Sequence, residues 1–488
     1  LNNHFLNWLR LDDRIINIQY PEKIENIISK DELLNLESKI QKSKLSQFAS
    51  LVKDEPLLEK KLPGSKIIFT KNYPSINTRE FRLENGVRVF LKTTKNKEKS
   101  FSFEGTSMGG YSHANLTNLP SAKFTEDLIS ESGLGDFSRV ELNNKVDPSF
   151  ADVEVWIEPF KEGLKGEAIT KYTKELFELI YLNFTSVNFN EIGFENAKSL
   201  LREKIKNENL DPSKVFFKRI NHAYYKDHPR RSPWNLDLID QIELDKINQF
   251  YMDRFADSSD FVFTFVGDFS IDEMKPYIEK YLGSLPSINR KENYIDHNIR
   301  IETESKYIEI KQNSEEKSHN YRIYSHKFKN SVKNRFTLYI LMDIVNRVLR
   351  EEIRTKQNLV YSIYVDTFGI KHFPTQSYSL YITFKSDPKN NNLIFSEIDK
   401  ILEEFKNGDF KKNYIDEAKL HEINNVNENV QNNSFLAYAI NSYLFEDEPI
   451  TTINNLYKVI QSISNYEIHK FSKKSFTDNF IQASLLPK

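Results

Sequence analysis

Residues 78–94, TREFRLENGVRVFLKTT, contain the clearest fold signal of the sequence. Apolar and polar side chains alternate on both sides of Asn85-Gly86, a pair that tolerates the positive φ angles of a tight turn. The stretch therefore predicts a β-hairpin with one buried face. Working outward, FSFEGTSMGGYS (101–112) and ADVEVWIEP (151–159) predict further strands. Helical periodicity is predicted over 166–182, 190–207, 212–225 and 238–255, followed by a buried strand at 260–269.

From about residue 300 the predicted elements repeat in the same order, and individual residues match at a constant offset of 221. The matched pairs are Phe194–Lys198 with Ile415–Lys419, Ile242 with Ile463, Ile247 with Ile468, Phe250 with Phe471, and Phe255 with Phe476. Generic amphipathic spacing is the alternative explanation, but several matches at one offset favour duplication. We therefore expect an α+β fold of two homologous domains, each a mostly antiparallel sheet packed against helices, over 76–290 and 291–488.

Residues 1–75 are predicted to be a helical tail of an upstream element and a linker. Ser29 to Glu32 precede an apolar periodicity, as residues at helix starts do, and Pro56, Pro63 and Gly64 interrupt the pattern. The chain starts without Met, and its first residues lack the features of a signal peptide. We expect the sequence to continue from the interior of a longer protein.

The composition excludes several classes of function. Lys and Arg (68) nearly balance Asp and Glu (70), so nothing in the charge calls for nucleic acid or an anionic membrane. The absence of cysteine excludes disulfides, thiolate catalysis and cysteine-based zinc sites. No apolar run reaches the roughly 18 residues of a membrane span, so none is expected.

The ten histidines do not form a recognisable catalytic zinc motif. Neither His-Glu-x-x-His nor His-x-x-Glu-His occurs, although these spacings place zinc ligands on one helix face. We expect packed or solvated roles for the remaining candidates, which are His222 with His228, His319 with His326, and His421 beside Glu422.

Other catalytic patterns are also missing. There is no Gly-x-Ser-x-Gly, and the glycine-rich residues 105–110 lack the Lys-Ser/Thr of a phosphate loop. We expect a tight turn at 105–110 and a solvated helix face at Glu126 and Asp127.

One constellation, in LREEIRTKQNLVYSIYV (349–365), has donor chemistry suited to a peptide substrate. Arg354 is predicted at the end of a long helix, and Tyr361 begins a strand seven residues later. A guanidinium can hold a peptide carbonyl, and a phenol can donate to the oxyanion that forms during amide hydrolysis. By themselves the two residues also fit ordinary structural roles, since Arg is favourable at a helix C-terminus.

The sequence resembles the C-terminal, non-zinc half of bacterial pitrilysin/insulinase (inverzincin) peptidases over residues 75–488. Four stretches show the resemblance: the hairpin at 79–94, SAKFTEDLISESGLGDFSR (121–139), the segment 250–286, and NRVLREEIRTKQNLVYS (346–362). The resemblance implies half of a clamshell-shaped zinc metalloendopeptidase whose two halves close on a peptide. It also implies that Arg354 and Tyr361 contact the substrate at the zinc site.

The resemblance places zinc in the other, N-terminal half. Residues 122–127, AKFTED, stand where the active half has Ala-His-x-x-Glu-His, so Lys123 and Asp127 replace two zinc-binding histidines. Of the His-x-x-Glu-His positions, only Glu126 matches the motif, because it keeps the carboxylate of the motif's glutamate. Because a metal site needs its full set of ligands, we expect no metal and no cofactor in this chain.

The leading hypothesis is therefore the non-zinc half of a metalloendopeptidase whose partners are a zinc-bearing N-terminal half and a peptide or unfolded protein. The alternative is a non-catalytic peptide-binding or scaffold subunit of a peptidase-like complex. A third possibility is an unrelated hydrolase whose catalytic residues are dispersed in sequence. Both bacterial compartments, cytoplasm and periplasm, are compatible, and the resemblance favours the periplasm.

Overall fold

The computed structural model describes residues 15–19, 27–43, 55–146 and 150–488. The chain divides into two units, 1–51 and 52–488. In the first unit, helix α1 (Lys30–Lys42) starts at a capping box in which Ser29 and Glu32 bond each other's backbone amides. The other residues of the predicted helical tail before 55 lie largely outside the described part of the chain.

The second unit begins with a seven-stranded sheet that includes the predicted hairpin. Its spatial order is β1-β2-β3-β9-β4-β7-β6, and every neighbouring pair is antiparallel except β3 and β9. The strands are β1 (Ile67–Tyr73), β2 (Thr78–Leu83), β3 (Arg88–Thr93), β4 (Ser100–Met108), β6 (Asp152–Ile157), β7 (Lys161–Ile169) and β9 (Val262–Gly267). A two-stranded ribbon pairs β5 (Gly133–Leu134) with β8 (Val187–Asn188).

Helices cover one face of this sheet and extend beyond it. They are α2 (Leu119–Ser130), α3 (Arg139–Val146), α4 (Thr173–Thr185), α5 (Glu191–Leu210), α6 (Pro212–Tyr224), α7 (Leu236–Asp240), α8 (Leu244–Arg254) and α9 (Ile271–Lys280). The main core lies between the sheet and α4, α8 and α9, where Phe177, Phe263 and Phe265 are fully buried.

The second half of the unit repeats this plan with a five-stranded sheet in the order β10-β14-β11-β13-β12. Its strands are β10 (Lys306–Asn313), β11 (Ser318–Lys327), β12 (Ser362–Lys371), β13 (Ser377–Ser386) and β14 (Ile481–Pro487). Its helices are α10 (Val332–Leu349), α11 (Asn391–Asn407), α12 (Lys412–Asn429), α13 (Asn433–Phe445), α14 (Leu456–Ser462) and α15 (Asn465–Ser475). A second core forms where α10, α11 and α15 pack on β13.

The two halves share one topology. Strands β3-β9-β4-β7-β6 and β10-β14-β11-β13-β12 have the same order and the same pattern of one parallel and three antiparallel pairs. Helices α6 and α8 coincide at both ends with α13 and α15 after a shift of 221 residues. The predicted α+β architecture of two homologous domains is confirmed.

Each domain covers the outer sheet face of the other with one helix. Helix α13 packs its Leu436 and Ile440 against Phe90, Val262 and Val266 of the first sheet. In return, α6 packs Phe216 and Ile220 on the second sheet. Buried polar bonds accompany both contacts, such as Tyr224 Oη to Ser379 Oγ at 2.6 Å. The central strands β4, β9 and β13 are therefore buried on both faces, as the apolar run at 260–269 suggested for β9.

Four stretches differ from the prediction. The helix predicted over 238–255 is divided into α7 and α8, and the tight turn expected at 105–110 begins only at Gly109, because residues up to Met108 belong to β4. The predicted linker ends in strand β1, which pairs antiparallel with β2 and forms one edge of the first sheet. The helix predicted over 166–182 begins only at Thr173, because Lys161–Ile169 form the strand β7 between β4 and β6. Glycines at 163 and 166 gave no strand signal there, yet both lie where a Cβ atom would clash with a neighbouring backbone carbonyl.

Candidate functional site

The segment that contains Arg354 and Tyr361 is a helix end that turns directly into an edge strand. Helix α10 continues as a π-helical turn, Arg350–Lys356, and Leu359 N then donates to Ile353 O at 3.1 Å. Asn358 adopts a left-handed conformation (φ 51°), which reverses the chain. Tyr361 N donates to Lys385 O at 3.1 Å and starts the pairing of β12 with β13.

Buried residues fix this turn while the two candidate residues point away from the core. Ile353 and Val360 are buried in the second core, directly before Arg354 and Tyr361 in sequence. Arg354 is exposed, and Tyr361 is 64% exposed. The structure therefore places both predicted residues on one surface segment that buried neighbours anchor.

The Arg354 guanidinium and the Tyr361 hydroxyl are available as hydrogen-bond donors. Among the described residues, none forms an ion pair with Arg354 or a hydrogen bond with the Tyr361 hydroxyl. The Lys317 ammonium lies 3.7 Å from the Tyr361 ring centroid, so one cation already lies against this ring. Such a group of donors can bind a carbonyl or an oxyanion, but it contains no base and no nucleophile.

The helix position that resembles a lost zinc motif is occupied by other interactions. Lys123 Nζ lies 3.4 Å from Ser232 O and 5.0 Å from the Trp234 ring centroid. Burial lowers the pKa of Lys123 to about 8, and Arg231 and Arg230 act in the same direction. Glu126 accepts a 3.1 Å hydrogen bond from Ile157 N of β6.

These contacts do not fit a zinc ion. An ammonium group stands where a ligand would be needed, and the Glu126 carboxylate is bonded to a backbone amide. Within the described ranges, no group of three or more His, Asp or Glu side chains is arranged to hold a metal ion.

A large cleft lies beside α2 and was not predicted from the sequence. Its volume is about 860 Å³, and it lies between α2, α3, α4 and β6. Carboxylates dominate its charged lining, which comprises Glu126, Asp127, Asp152, Glu154, Glu167 and Arg139. The alternation in DVEV, which puts Asp152 and Glu154 on one strand face, was the available signal.

Comparison with known proteins shows which peptidases this chain is similar to. Residues 241–421 match the family described as "Peptidase M16 inactive domain". The probable zinc protease PqqL of Haemophilus influenzae is 23% identical over 354 residues, which are 70% of this chain and 36% of that protein. The chain is an M16 peptidase homologue. Because M16 is the family of pitrilysin and insulinase, the resemblance seen in the sequence is confirmed.

Two solved structures of an M16 protease share the fold of this chain. The periplasmic protease PqqL from Escherichia coli superposes with a TM-score of 0.80 at 16% identity, covering 94% of this chain and 51% of that chain. The first half of the same protease superposes with a TM-score of 0.69 at 13% identity, covering 84% of this chain and 92% of that one. The chain thus spans about half the length of the E. coli protease.

Among the described residues of the M16 homologue, no helix combines the length and the apolar character needed to cross a membrane.

Proposed function

We propose that this chain is the C-terminal half of a zinc metalloendopeptidase that hydrolyses peptides or unfolded polypeptides in a closed chamber. The observation that supports it most is the exposed segment of Arg354 and Tyr361, because no described residue forms an ion pair with this guanidinium or a hydrogen bond with this hydroxyl. Its zinc-bearing N-terminal half would belong to the same polypeptide or to a separate chain. The E. coli relative is described as periplasmic, which favours that compartment.

In this proposal Arg354 and Tyr361 act on the substrate and not on the metal. The Arg354 guanidinium holds the carbonyl of the scissile peptide, because its planar donors can bond an oxygen in a fixed direction. The Tyr361 hydroxyl donates to the oxygen that gains negative charge in the tetrahedral intermediate. Zinc in the other half supplies an activated water when it is bound.

A reconstitution assay tests this function. The full chain is combined with a zinc-bearing half of an M16 protease, and cleavage of a quenched peptide is measured. Removing one oxyanion donor costs about 10²-fold in kcat, so we expect a loss of this order for Tyr361→Phe with little change in KM. Tyr364→Phe is the matched control, because Tyr364 is another exposed tyrosine and lies three residues further along, within β12. Equal turnover in both variants would rule out the role of Tyr361.

A second candidate function is a non-catalytic peptide-binding or scaffold subunit. It is favoured by Lys123 and Glu126, whose contacts replace a metal site in this chain. The same assay separates the two, because a scaffold subunit would bind the zinc-bearing half without raising peptide turnover.

A further inference from the structure

A small cavity at the junction of the two domains has an unusual charge. It encloses about 240 Å³ and lies between residues 225–231 of the first domain, the connection 299–303, and residues 371–377 of the second domain. Its charged lining residues are all cationic: Lys226, Arg231, Arg300, Lys327 and Lys371. No acidic side chain is found among the described residues that line it.

Two of these cations are neutralised outside the cavity. Arg300 forms a bidentate pair with Asp296, at 2.9 and 2.6 Å. Lys226 lies 3.3 Å from Glu302. The remaining three, Arg231, Lys327 and Lys371, have no carboxylate within ion-pair distance in the described parts of the chain.

Arg231 and Lys371 are held together against one aromatic ring. Lys371 Nζ donates to Tyr225 Oη at 2.8 Å and lies 4.5 Å from the ring centroid. The Arg231 guanidinium carbon lies 4.9 Å from the same centroid, and the buried Arg231 Nε has no hydrogen-bond partner. Burial lowers the pKa of Lys371, and Arg231 adds to this effect while Tyr225 opposes it. Like charges brought together away from water cost free energy unless an anion compensates them.

The walls of the cavity are fixed by contacts between the domains. Glu302 N donates to Tyr224 O at 2.8 Å, and His228 Nε2 lies 3.2 Å from His297 O. These bonds tie the connecting segment to the first domain. Since Tyr225 contacts both Arg231 and Lys371, these two unpaired cations are positioned before any ligand arrives, which reduces the entropic cost of binding.

We propose that this cavity binds a phosphate group, either as inorganic phosphate or as the head of a small organic phosphate. A phosphate dianion presents several acceptor oxygens and balances more of the three unpaired positive charges than a single carboxylate can. Arginine and lysine together provide the directional and point-charge donors that phosphates use. Phe160 and Phe373 line the same cavity and offer an apolar surface to an organic substituent.

Thermal unfolding of the full chain in inorganic phosphate, compared with chloride at equal ionic strength, tests the site. We expect phosphate to raise Tm in the wild type, since a ligand that binds only the folded state stabilises it. Arg231→Gln and Lys371→Met should weaken phosphate binding at least tenfold by titration calorimetry. Lys458→Met, an exposed lysine on helix α14, should leave binding unchanged.

The variants also have a readout that does not depend on phosphate. Because each removes an uncompensated cation, both should unfold at or above the wild-type Tm in phosphate-free buffer. The site is rejected if the wild type shows no response to phosphate, or if both variants respond as the wild type does. A response to acetate as large as that to phosphate would indicate a general anion effect and would also overturn the proposal.

Discussion

At the scale of single residues, Glu104 shows how the contact between the domains alters chemistry. This carboxylic acid on β4 is only 8% exposed and lines a cavity of about 290 Å³ together with Tyr438 and Asn441 of helix α13. Burial raises the pKa of Glu104 to about 7, against the opposing charge of Lys165. The ionised form is therefore disfavoured in the folded protein.

The raised pKa predicts that Glu104 destabilises the folded protein at high pH, where it is ionised. One substitution should remove this effect. The folded pKa of Glu104 is about 7 and its ordinary value is 4.5, so the folded state binds more protons between these pH values. The contribution of Glu104 to the free energy of unfolding thus falls as pH rises from about 4.5 to 7 and stays low above. Glu104→Gln should be more stable than wild type by about 3 kcal/mol at pH 8, and the gain should vanish near pH 4.

Urea unfolding of both proteins across this pH range measures the difference. Glu162 and Asp260 have pKa values raised in the same direction, so only the difference between variant and wild type reports Glu104. The exposed Glu98→Gln is the matched control and should show no such trend. A Glu104→Gln gain that is equal at pH 4 and pH 8 would contradict the assignment.

At the scale of elements, helix α13 depends on one asparagine for its place on the first sheet. Asn441 Nδ2 donates to Glu104 O, Thr106 Oγ1 and Val262 O, each at 3.1 Å, and Asn441 Oδ1 accepts from Thr264 Oγ1. All of these groups are buried. The amide therefore satisfies polar groups that the helix would otherwise cover without a partner.

Truncating this amide should loosen the contact between the helix and the sheet. Asn441→Ala leaves the Thr264 hydroxyl and the backbone carbonyls of Glu104 and Val262 without this partner, so we expect a loss of about 2–3 kcal/mol in unfolding free energy. The urea midpoint should fall while the m-value stays constant. Asn413→Ala, at an exposed position of helix α12, should cost less than about 0.5 kcal/mol. A similar loss of unfolding free energy in both variants would show that the hydrogen bonds of Asn441 contribute no more than an exposed asparagine does.

The sequence predicted most elements because their signals are local. The Asn85-Gly86 turn, the capping box at Ser29 and the apolar run at 260–269 each depend on neighbouring residues alone. Strand β7 was missed because its glycines serve close contacts with Trp156 and Asp152, which only the assembled sheet brings near. The acidic cleft and the cationic cavity were missed for the same reason: their residues meet only after folding.

The candidate site was predictable in part. The seven-residue spacing of Arg354 and Tyr361 is a local pattern, and the structure places both residues in the expected helix-to-strand passage. Their exposure, the nearby ammonium of Lys317 and the π-helical turn depend on packing against β13. No sequence pattern reports which groups of a zinc-bearing half would lie opposite them, so their role stays a prediction.

At the scale of the whole molecule, the exchange of helices makes two duplicated domains depend on each other. Helix α13 covers Phe90, Val262 and Val266 of the first sheet, and α6 covers Tyr321 and Ile323 of the second. Burying an apolar side chain of this size contributes about 1.5–3 kcal/mol. Each domain therefore supplies part of the core of the other.

This dependence predicts that residues 55–488 unfold in one transition and that the first domain cannot stand alone. A fragment of residues 55–290 would expose its own sheet face and the apolar side of α6, which together form a large hydrophobic surface. We expect the fragment to bind the dye ANS, to associate, and to lose near-UV circular dichroism, while residues 55–488 show a single calorimetric transition. Mixing the fragment with residues 291–488 should restore the near-UV signal, because the two exchanged helices can then find their sheets. Two separate transitions in residues 55–488, or a monomeric fragment with native near-UV dichroism, would show that the exchanged helices are accessories and that each domain is stable through its own core.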